Sequence, residues 1–395
     1  MRSSLAGLLA AATLSATGAA AQETSWGGSL AGELRGFPNP PLADEQLGPL
    51  QLSFTFAPDV LMQSESGRHR FSLVPFLRLD AQDSERTHFD LREAHWRGVF
   101  GDWEVVAGVD QMFWGVTESR HLVDVVNQID VLEDIDEEDK RGQPMLSVEW
   151  QRLWGRVTAL ALFGFRERSY PGLQGRLRLP LPVDTDGVVY TDGERPVDFA
   201  LRYAHFLGGF DLGVSAFHGI GREPAFRLND AGELLIPVYS QVTQAGMDLQ
   251  YTRGAWLWKL EAILRSGPGD AFGAAVAGLE HTHYQILGSG ADLGLLFEYL
   301  YDGRDADAPP TPFDHAVFGG ARLALGDVSD TNLLAGVIVD LDDGSIGGRV
   351  EAERRVNDNL TLELEARIST NVSAESVLYS LRRDSFAALR LEWHF

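Results

Sequence analysis

Cysteine is absent from the 395-residue sequence, and lysine occurs only twice, as Lys140 and Lys259. Without cysteine the chain can form neither a disulfide framework nor a thiolate metal site. Long apolar runs are also missing: the stretch from Leu5 to Leu14 is shorter than the roughly 20 residues that a transmembrane helix needs. Cationic surface is scarce as well, and the net charge of −24 argues against nucleic acid as a partner.

The first residues have the organisation of a secretory signal peptide. Arg2 supplies the positive start, the stretch 5–14 is apolar, and Ala19-Ala20-Ala21 offers a cleavage site before Gln22. A membrane anchor is the alternative, which the shortness of the apolar stretch disfavours. We therefore predict that residues 1–21 direct export through an inner membrane and that residues 22–395 form the mature protein.

The mature chain is built from segments in which apolar and polar residues alternate. From Leu360 to Ile368 every second residue is apolar, and the residues between them include Glu363 and Arg367. The same alternation occurs in segments 103–110, 157–165, 245–251 and 293–299. Because successive side chains of a strand point to opposite faces, each segment has one apolar face and one charged face. This pattern predicts amphipathic β-strands throughout.

Short and long connections alternate along the chain. The short ones include 101–102, 207–209, 253–254, 288–290 and 357–359. The long polar ones cover about 37–47, 115–143, 169–196, 221–238, 303–313 and 371–384. Barrels of the bacterial outer membrane have short periplasmic turns and longer external loops. The sequence therefore predicts an all-β fold, a single transmembrane antiparallel β-barrel over 22–395 with about 18 strands, or 16 as the alternative.

The C-terminus resembles the closing strand of Gram-negative outer-membrane proteins. Apolar residues alternate from Leu389 through Leu391 and Trp393 to the terminal Phe395. In that family the terminal aromatic strand is recognised by the barrel-assembly machinery. The resemblance thus implies that Phe395 is an assembly signal and that the assembly machinery is a partner.

A narrower resemblance covers residues 91–130. The sequence Leu91-Arg92-Glu93-Ala94-His95-Trp96 precedes Gly108-Val109-Asp110-Gln111, then Phe113-Trp114-Gly115, then Leu122-Val123-Asp124-Val125-Val126-Asn127-Gln128-Ile129-Asp130. These motifs are similar to those of poorly characterised outer-membrane proteins near the alginate-export type of porin. The resemblance implies a single-chain barrel of similar strand number. A channel for a polyanion needs a strongly basic lumen, so the mixed charges here argue against alginate as the solute.

If the apolar faces meet lipid, the charged faces must line the lumen. The predicted pore-lining residues are Arg78, Arg97, Asp110, Glu149, Arg156, Arg202, Lys259, Glu261, Glu298, Arg322, Arg349, Glu363, Arg367 and Arg390. Acids and bases are interleaved among them. The two hypotheses are a wall of opposite charges that orients polar solutes and a solvated wall without selectivity.

The connection 115–143 is the third external loop by this count. Its apolar residues from Leu122 to Ile135 recur at roughly helical spacing. An apolar face is costly in water, so we expect the loop to fold inward against the barrel wall and to narrow the pore. The acids predicted at this constriction are Asp130, Asp134, Asp136, Glu137 and Glu138. The alternative is an external flap whose acids are solvated or bridge lipopolysaccharide through divalent ions.

The predicted function is passive diffusion of small polar solutes through an outer-membrane porin or solute-specific channel. The alternative is a structural or adhesion barrel whose pore is closed by loops. Neither G-x-S-x-G nor H-E-x-x-H occurs in the sequence, so no enzyme, catalytic residue, metal or cofactor is predicted. The expected partners are outer-membrane lipids and lipopolysaccharide, the assembly machinery and a small polar solute.

Overall fold

The computed structural model describes residues 22–193 and 197–395, so the predicted signal peptide 1–21 and the end of the connection 169–196 lie outside the described residues. Eighteen strands form one barrel, and three short strands form a separate small sheet. The strands are β1 (Gln22–Gly36), β2 (Leu50–Ser64), β3 (His69–Asp80), β4 (His88–Phe100), β5 (Trp103–Asp110), β6 (Gln143–Arg152), β7 (Gly155–Phe163), β8 (Val189–Tyr190), β9 (Val197–Leu207), β10 (Phe210–Ile220), β11 (Ala225–Leu228), β12 (Leu235–Tyr239), β13 (Gln241–Arg253), β14 (Trp256–Ser266), β15 (Phe272–His283), β16 (Asp292–Asp302), β17 (His315–Ala324), β18 (Asn332–Asp340), β19 (Ile346–Asn357), β20 (Leu360–Thr370) and β21 (Phe386–His394). Short 3₁₀ turns cover Ile286–Gly288 and Val377–Leu381. Within the described part of the chain, no helix is long and apolar enough to cross a membrane.

The barrel closes because β1 pairs antiparallel with β2 on one side and with β21 on the other. Closure leaves no unpaired strand edge, which is the condition for a sheet to exist in lipid. The all-β class, the antiparallel barrel and the count of 18 strands are confirmed. The connection predicted at about 115–143 begins earlier than expected, since β5 ends at Asp110. The alternating segment 157–165 also extends past its strand, since β7 ends at Phe163.

Strand β16 shows how the alternating sequence is used. Leu295, Phe297 and Tyr299 point outward and are exposed, whereas Glu298 and Leu300 point inward and are each 2% exposed. In β1 the same alternation leaves Leu30 and Leu34 exposed on the outside. The barrel therefore presents an apolar outer surface, which lipid covers in a transmembrane barrel.

The two ends of the barrel differ in the length of their connections. At one end the turns are short, as at 101–102, 208–209 and 358–359. The other end carries the longest connections, and the three-stranded sheet of β8, β11 and β12 is formed there. The end with the short turns is the one we assign to the periplasm.

This orientation is testable because the chain has no native cysteine. We expect single cysteines at Asp102, Gly209 and Asn359 to stay unlabelled when whole cells are treated with a membrane-impermeant thiol reagent. A cysteine at the exposed Asp305 should be labelled. Permeabilised cells provide the control, since all four sites should then react. Labelling of position 209 in preference to 305 on intact cells would reverse the assignment.

The terminal Phe395 packs where the barrel closes. Its backbone N–H donates to the Gly28 carbonyl oxygen at 3.1 Å. Its ring lies 5.3 Å from that of Trp393, 6.1 Å from that of Trp26 and 6.3 Å from that of Phe56, centroid to centroid. The ring of Phe395 thus contacts residues of β21, β1 and β2, on both sides of the β1–β21 pairing.

Loss of this residue should impair assembly more than it alters the folded barrel. We expect Phe395→Ala, or deletion of Phe395, to lower the yield of membrane-inserted, heat-modifiable protein several-fold, because the terminal aromatic strand is the predicted assembly signal. Gel migration with and without boiling, together with membrane fractionation, measures this. Phe100→Ala, which removes an exposed ring beside another turn, is the matched control. A normal yield from the deletion would refute the prediction.

Candidate functional site

The segment 111–142, which joins β5 to β6, lies inside the barrel; we call it the inserted loop. Arg78 of β3 donates to the carboxylate of Glu133 in this loop, at 2.5 and 2.6 Å. Glu261 of β14 accepts from the Val116 N–H at 2.7 Å. Strands β3 and β14 are eight positions apart in the ring of 18, almost opposite each other. Only a segment that crosses the lumen can bind both walls.

The first anchor of the inserted loop is Glu261, whose side chain is fully buried. One carboxylate oxygen accepts from the Val116 and Thr117 N–H groups and from the Thr117 hydroxyl, at 2.7 to 3.0 Å. The other oxygen accepts from the Val123 N–H at 3.2 Å. Gly115 precedes this turn with φ +155°, and a Cβ there would lie 2.9 Å from the His121 ring. Backbone donors of the loop thus satisfy a charge that would otherwise be costly to bury.

The second anchor is Glu298 of β16, which is 2% exposed. It accepts from the Glu118 and Ser119 N–H groups, both at 2.8 Å, and from the Ser119 hydroxyl at 2.5 Å. Arg120 then extends to Asp302 at 3.4 Å. Strands β14 and β16, which flank β15, therefore hold consecutive residues of the inserted loop, and the loop's path across the lumen is fixed.

An apolar cluster fixes the same loop against one half of the wall. Val123 and Val126 are fully buried and pack with inward-facing side chains such as Leu160, Phe217 and Leu300. Part of the lumen face is therefore apolar, and the expectation of a charged lumen on every strand was wrong. The helical spacing was also misleading, since the inserted loop consists of turns and bends with one isolated bridge. The apolar residues of the loop contact apolar side chains of the barrel wall.

The acidic end of the inserted loop faces the other half of the wall. Asp134 lies 3.2 Å from Arg367, and Asp136 lies 2.7 Å from the same guanidinium. Arg349 contacts Asp136 at 3.4 Å and Glu138 at 2.9 Å. These acids therefore do not form a free negative rim, because two arginines of β19 and β20 partner them.

Basic partners favour the ionised form of two other acids near the external end. Burial would raise the pKa of Asp130, but His88 and Arg92 outweigh it and hold the pKa at about 2. Burial also opposes ionisation of Glu223, where Arg265, Arg304 and others lower the pKa well below its usual range. The basic partners of both carboxylates therefore offset the cost of burying their charge.

Two cavities lie on either side of the acidic end of the inserted loop. The larger, of about 900 Å³, is bounded by the loop and by strands on both sides of the β1–β21 seam. The smaller, of about 220 Å³, is bounded by the loop, by β17 to β21 and by the external connections. Asp136, Glu138, Leu334 and Arg349 line both cavities. The two volumes thus meet at the ion pairs of Arg349.

The predicted pore-lining residues fall into three groups. Those that contact the inserted loop are Arg78, Lys259, Glu261, Glu298, Arg322, Arg349 and Arg367. Those that pair with other residues of the wall instead are Arg97 with Glu104, Glu149 with Arg156, Arg202 with Asp248, and Glu363 with Arg390. Asp110 belongs to neither group and lies 3.5 Å from His95. The structure therefore brings together about half of the set, around the loop.

The predicted constriction acids divide in a similar way. Asp130 and Asp134 are buried, Asp136 and Glu138 bound the passage between the cavities, and Glu137 lines the smaller cavity. Sequence reasoning missed Glu118, which lies 2.6 Å from Arg322, and Glu33, which lies 3.0 Å from Arg86. The sequence did offer one signal: the run Leu295–Leu300 is apolar on both faces of the strand apart from Glu298. An apolar inward face indicates that another segment of the chain covers the inner wall at this strand.

The anchors give a direct test of the inserted loop. Replacement of Glu261 or Glu298 by Ala leaves buried backbone N–H groups without acceptors, at about 1–3 kcal/mol each. We expect trypsin to cut the folded variants after Arg120 or Arg141, at sites that the wild-type barrel protects. Glu104→Ala, which breaks the wall pair with Arg97, is the control and should remain protected. Equal resistance of all three variants would show that these carboxylates do not hold the loop.

Comparisons with known proteins support the fold. No family model matches the chain, and no curated protein matches it significantly. The structure of Wzi, a carbohydrate-binding outer-membrane β-barrel involved in group 1 capsule assembly in Escherichia coli, has a TM-score of 0.53 at 10% identity, over 92% of this chain and 83% of that one. Pseudomonas aeruginosa OccK5 (OpdH) has a TM-score of 0.50 at 9% identity, over 95% and 97%. The structural similarity shows a shared barrel fold, and at these low sequence identities it shows the fold alone. The resemblance to the alginate-export type stays a prediction.

Proposed function

We propose that this protein is an outer-membrane channel through which small polar solutes diffuse, with a preference for cations. The observation that carries the proposal is the meeting of the two cavities at Asp136, Glu138 and Arg349. One volume lies towards the external connections and the other within the strand wall, so together they form a route along the barrel axis. The apolar outer surface supports placement in a lipid bilayer.

The two cavities meet in the gap between the inserted loop and the strand wall that carries Arg349. Solutes there pass the ion pairs of Arg349 and Arg367 with Asp136. A passage with both signs of charge close together favours solutes that carry hydrogen-bonding groups over apolar ones. The apolar cluster occupies the opposite side of the lumen, so the route lies to one side of the barrel axis.

The charge of the larger cavity supports the cation preference. Eleven acidic and seven basic side chains line it, which leaves a formal excess of four negative charges. Charges in a confined, partly desolvated space are screened less than those on an open surface. Permeant cations should therefore be concentrated in this cavity relative to anions.

Recording of the purified protein in a planar bilayer tests the proposal. We expect stable single-channel steps and, under a KCl gradient, a reversal potential of the sign given by cation preference. Protein from the Phe395 deletion that fails to insert serves as the negative control for contaminating channels. Silence across salts and voltages would leave the alternative, a structural or adhesion barrel whose pore the loop closes.

A further inference from the structure

Three potential metal ligands lie together on the lumen wall, apart from the passage described above. Glu93 and His95 are on β4, and Asp110 ends β5. His95 is paired with Gly108 in the β4–β5 ladder, so Asp110, two residues beyond Gly108, lies on the same face as His95. Their ligand atoms are all within 4.8 Å of one another. The strand pairing brings Asp110 next to Glu93 and His95, which lie 15 or more positions earlier in the chain.

The cluster is unusual in this lumen because its carboxylates lack a basic partner. Arg78, Arg202, Arg349 and Arg367 each pair with an acid at 2.9 Å or less. Among the described residues, the only charged contact of Glu93 or Asp110 within 4.0 Å is His95. Two neighbouring carboxylates repel each other unless a cation lies between them.

His95 supplies the second observation. Its side chain is 9% exposed, and its buried Nδ1 atom has no hydrogen-bond partner. This atom lies 3.5 Å from Asp110 Oδ1 and 3.9 Å from Glu93 Oε2, too far for a hydrogen bond to either. A buried polar atom without a partner is costly, and this one is directed at two carboxylates.

The distances from His95 to the two carboxylates suit a shared metal ion better than a hydrogen bond. Around a tetrahedral Zn²⁺ with bonds of about 2.0–2.2 Å, neighbouring ligand atoms are roughly 3.3–3.6 Å apart. The His95–Asp110 separation of 3.5 Å already falls in that range, and the His95–Glu93 separation of 3.9 Å exceeds it by a few tenths of an ångström. The Gln111 N–H donates to Asp110 Oδ1 at 2.9 Å and fixes the orientation of this carboxylate.

We infer that Glu93, His95 and Asp110 bind one divalent transition-metal ion such as Zn²⁺, with water in the remaining position. One imidazole with two carboxylates matches the ligand preferences of this class, whereas Ca²⁺ favours an all-oxygen site. Glu93 lines the larger cavity, so an ion can reach the site from the aqueous lumen. The ion would offset the two unpaired negative charges.

Isothermal titration of the full-length, EDTA-treated protein in detergent with ZnCl₂ tests this inference. His281 and His283 form a second pair, with ring centroids 4.5 Å apart. All proteins therefore carry H281N/H283N to remove that background. We expect one saturable Zn²⁺ site per barrel, with affinity reduced at least tenfold in His95→Gln and in Asp110→Asn. Glu104→Gln, an acid on β5 that pairs with Arg97, is the matched control and should bind like the parent.

The outcomes separate clearly. Absence of saturable binding in the parent, or unchanged affinity in both His95→Gln and Asp110→Asn, overturns the metal site. Heat-modifiable migration verifies that each variant is folded, and Glu93→Gln replaces any variant that is not. Binding is measured without current, so failure of the proposed channel in the bilayer would leave this result unaffected.

Discussion

Deletion of residues 119–140 should raise single-channel conductance several-fold and reduce cation preference. The inserted loop crosses the lumen between β3 and β14 and carries the acids that bound the passage. Without it the two cavities merge into one open lumen, whose wide cross-section screens the remaining wall charges more effectively. Bilayer conductance in 1 M KCl and the reversal potential in a KCl gradient measure the two effects.

This deletion also uncovers the inward-facing Leu160, Phe217 and Leu300, so its assembly must be verified by heat-modifiable migration. Glu261→Ala combined with Glu298→Ala retains the loop but releases its anchors, and we expect this variant to show noisy, enlarged conductance. Removal of residues 230–233, an exposed turn outside the barrel wall, is the matched control and should change neither quantity. If both the deletion and the anchor variant behave like the wild type, the loop lies outside the permeation route.

Neutralisation of Asp134, Asp136, Glu137 and Glu138 together should strongly reduce the cation preference. Three of these acids pair with Arg349 or Arg367, and the substitutions leave both guanidinium groups without those partners. The variant D134N/D136N/E137Q/E138Q therefore removes four negative charges from the passage, and Arg349 and Arg367 keep only Glu351 and Glu365 as acidic partners. Conductance should change little, because the new side chains are of almost the same size. The reversal potential in a KCl gradient reports the change.

Substitution of the two arginines should shift the reversal potential in the opposite direction. R349Q/R367Q removes the positive partners and should strengthen the preference for cations. D270N/D307N/E233Q/E375Q removes the same number and kinds of acids from exposed external positions and should leave selectivity unchanged. The charge model of the passage fails if the two passage variants shift the reversal potential in the same direction, or if the exposed control shifts it as much.

Most of the barrel could be predicted from local pattern. Segments such as 360–368 alternate strictly, and the predicted number of about 18 strands agrees with the 18 strands of the barrel. The error at β5 is informative, because residues 111–114 continue the strand-like sequence while Asp110 already ends the ladder. The loop contacts beyond Asp110 are with distant strands, and no local pattern encodes them.

The sequence by itself determined the antiparallel order and the lipid-facing side and limited the strand number to about 18 or 16, because these depend on a two-residue period and on connection length. Only the tertiary structure decided which inward residues touch the inserted loop. Glu261 and Glu298 look like any other lumen acids in sequence, yet they accept backbone N–H groups from residues more than 130 positions away. Likewise, strand pairing alone brings His95 next to Asp110. Strand patterning is a local property, whereas partners across a lumen depend on how the closed barrel folds its longest loop back into itself.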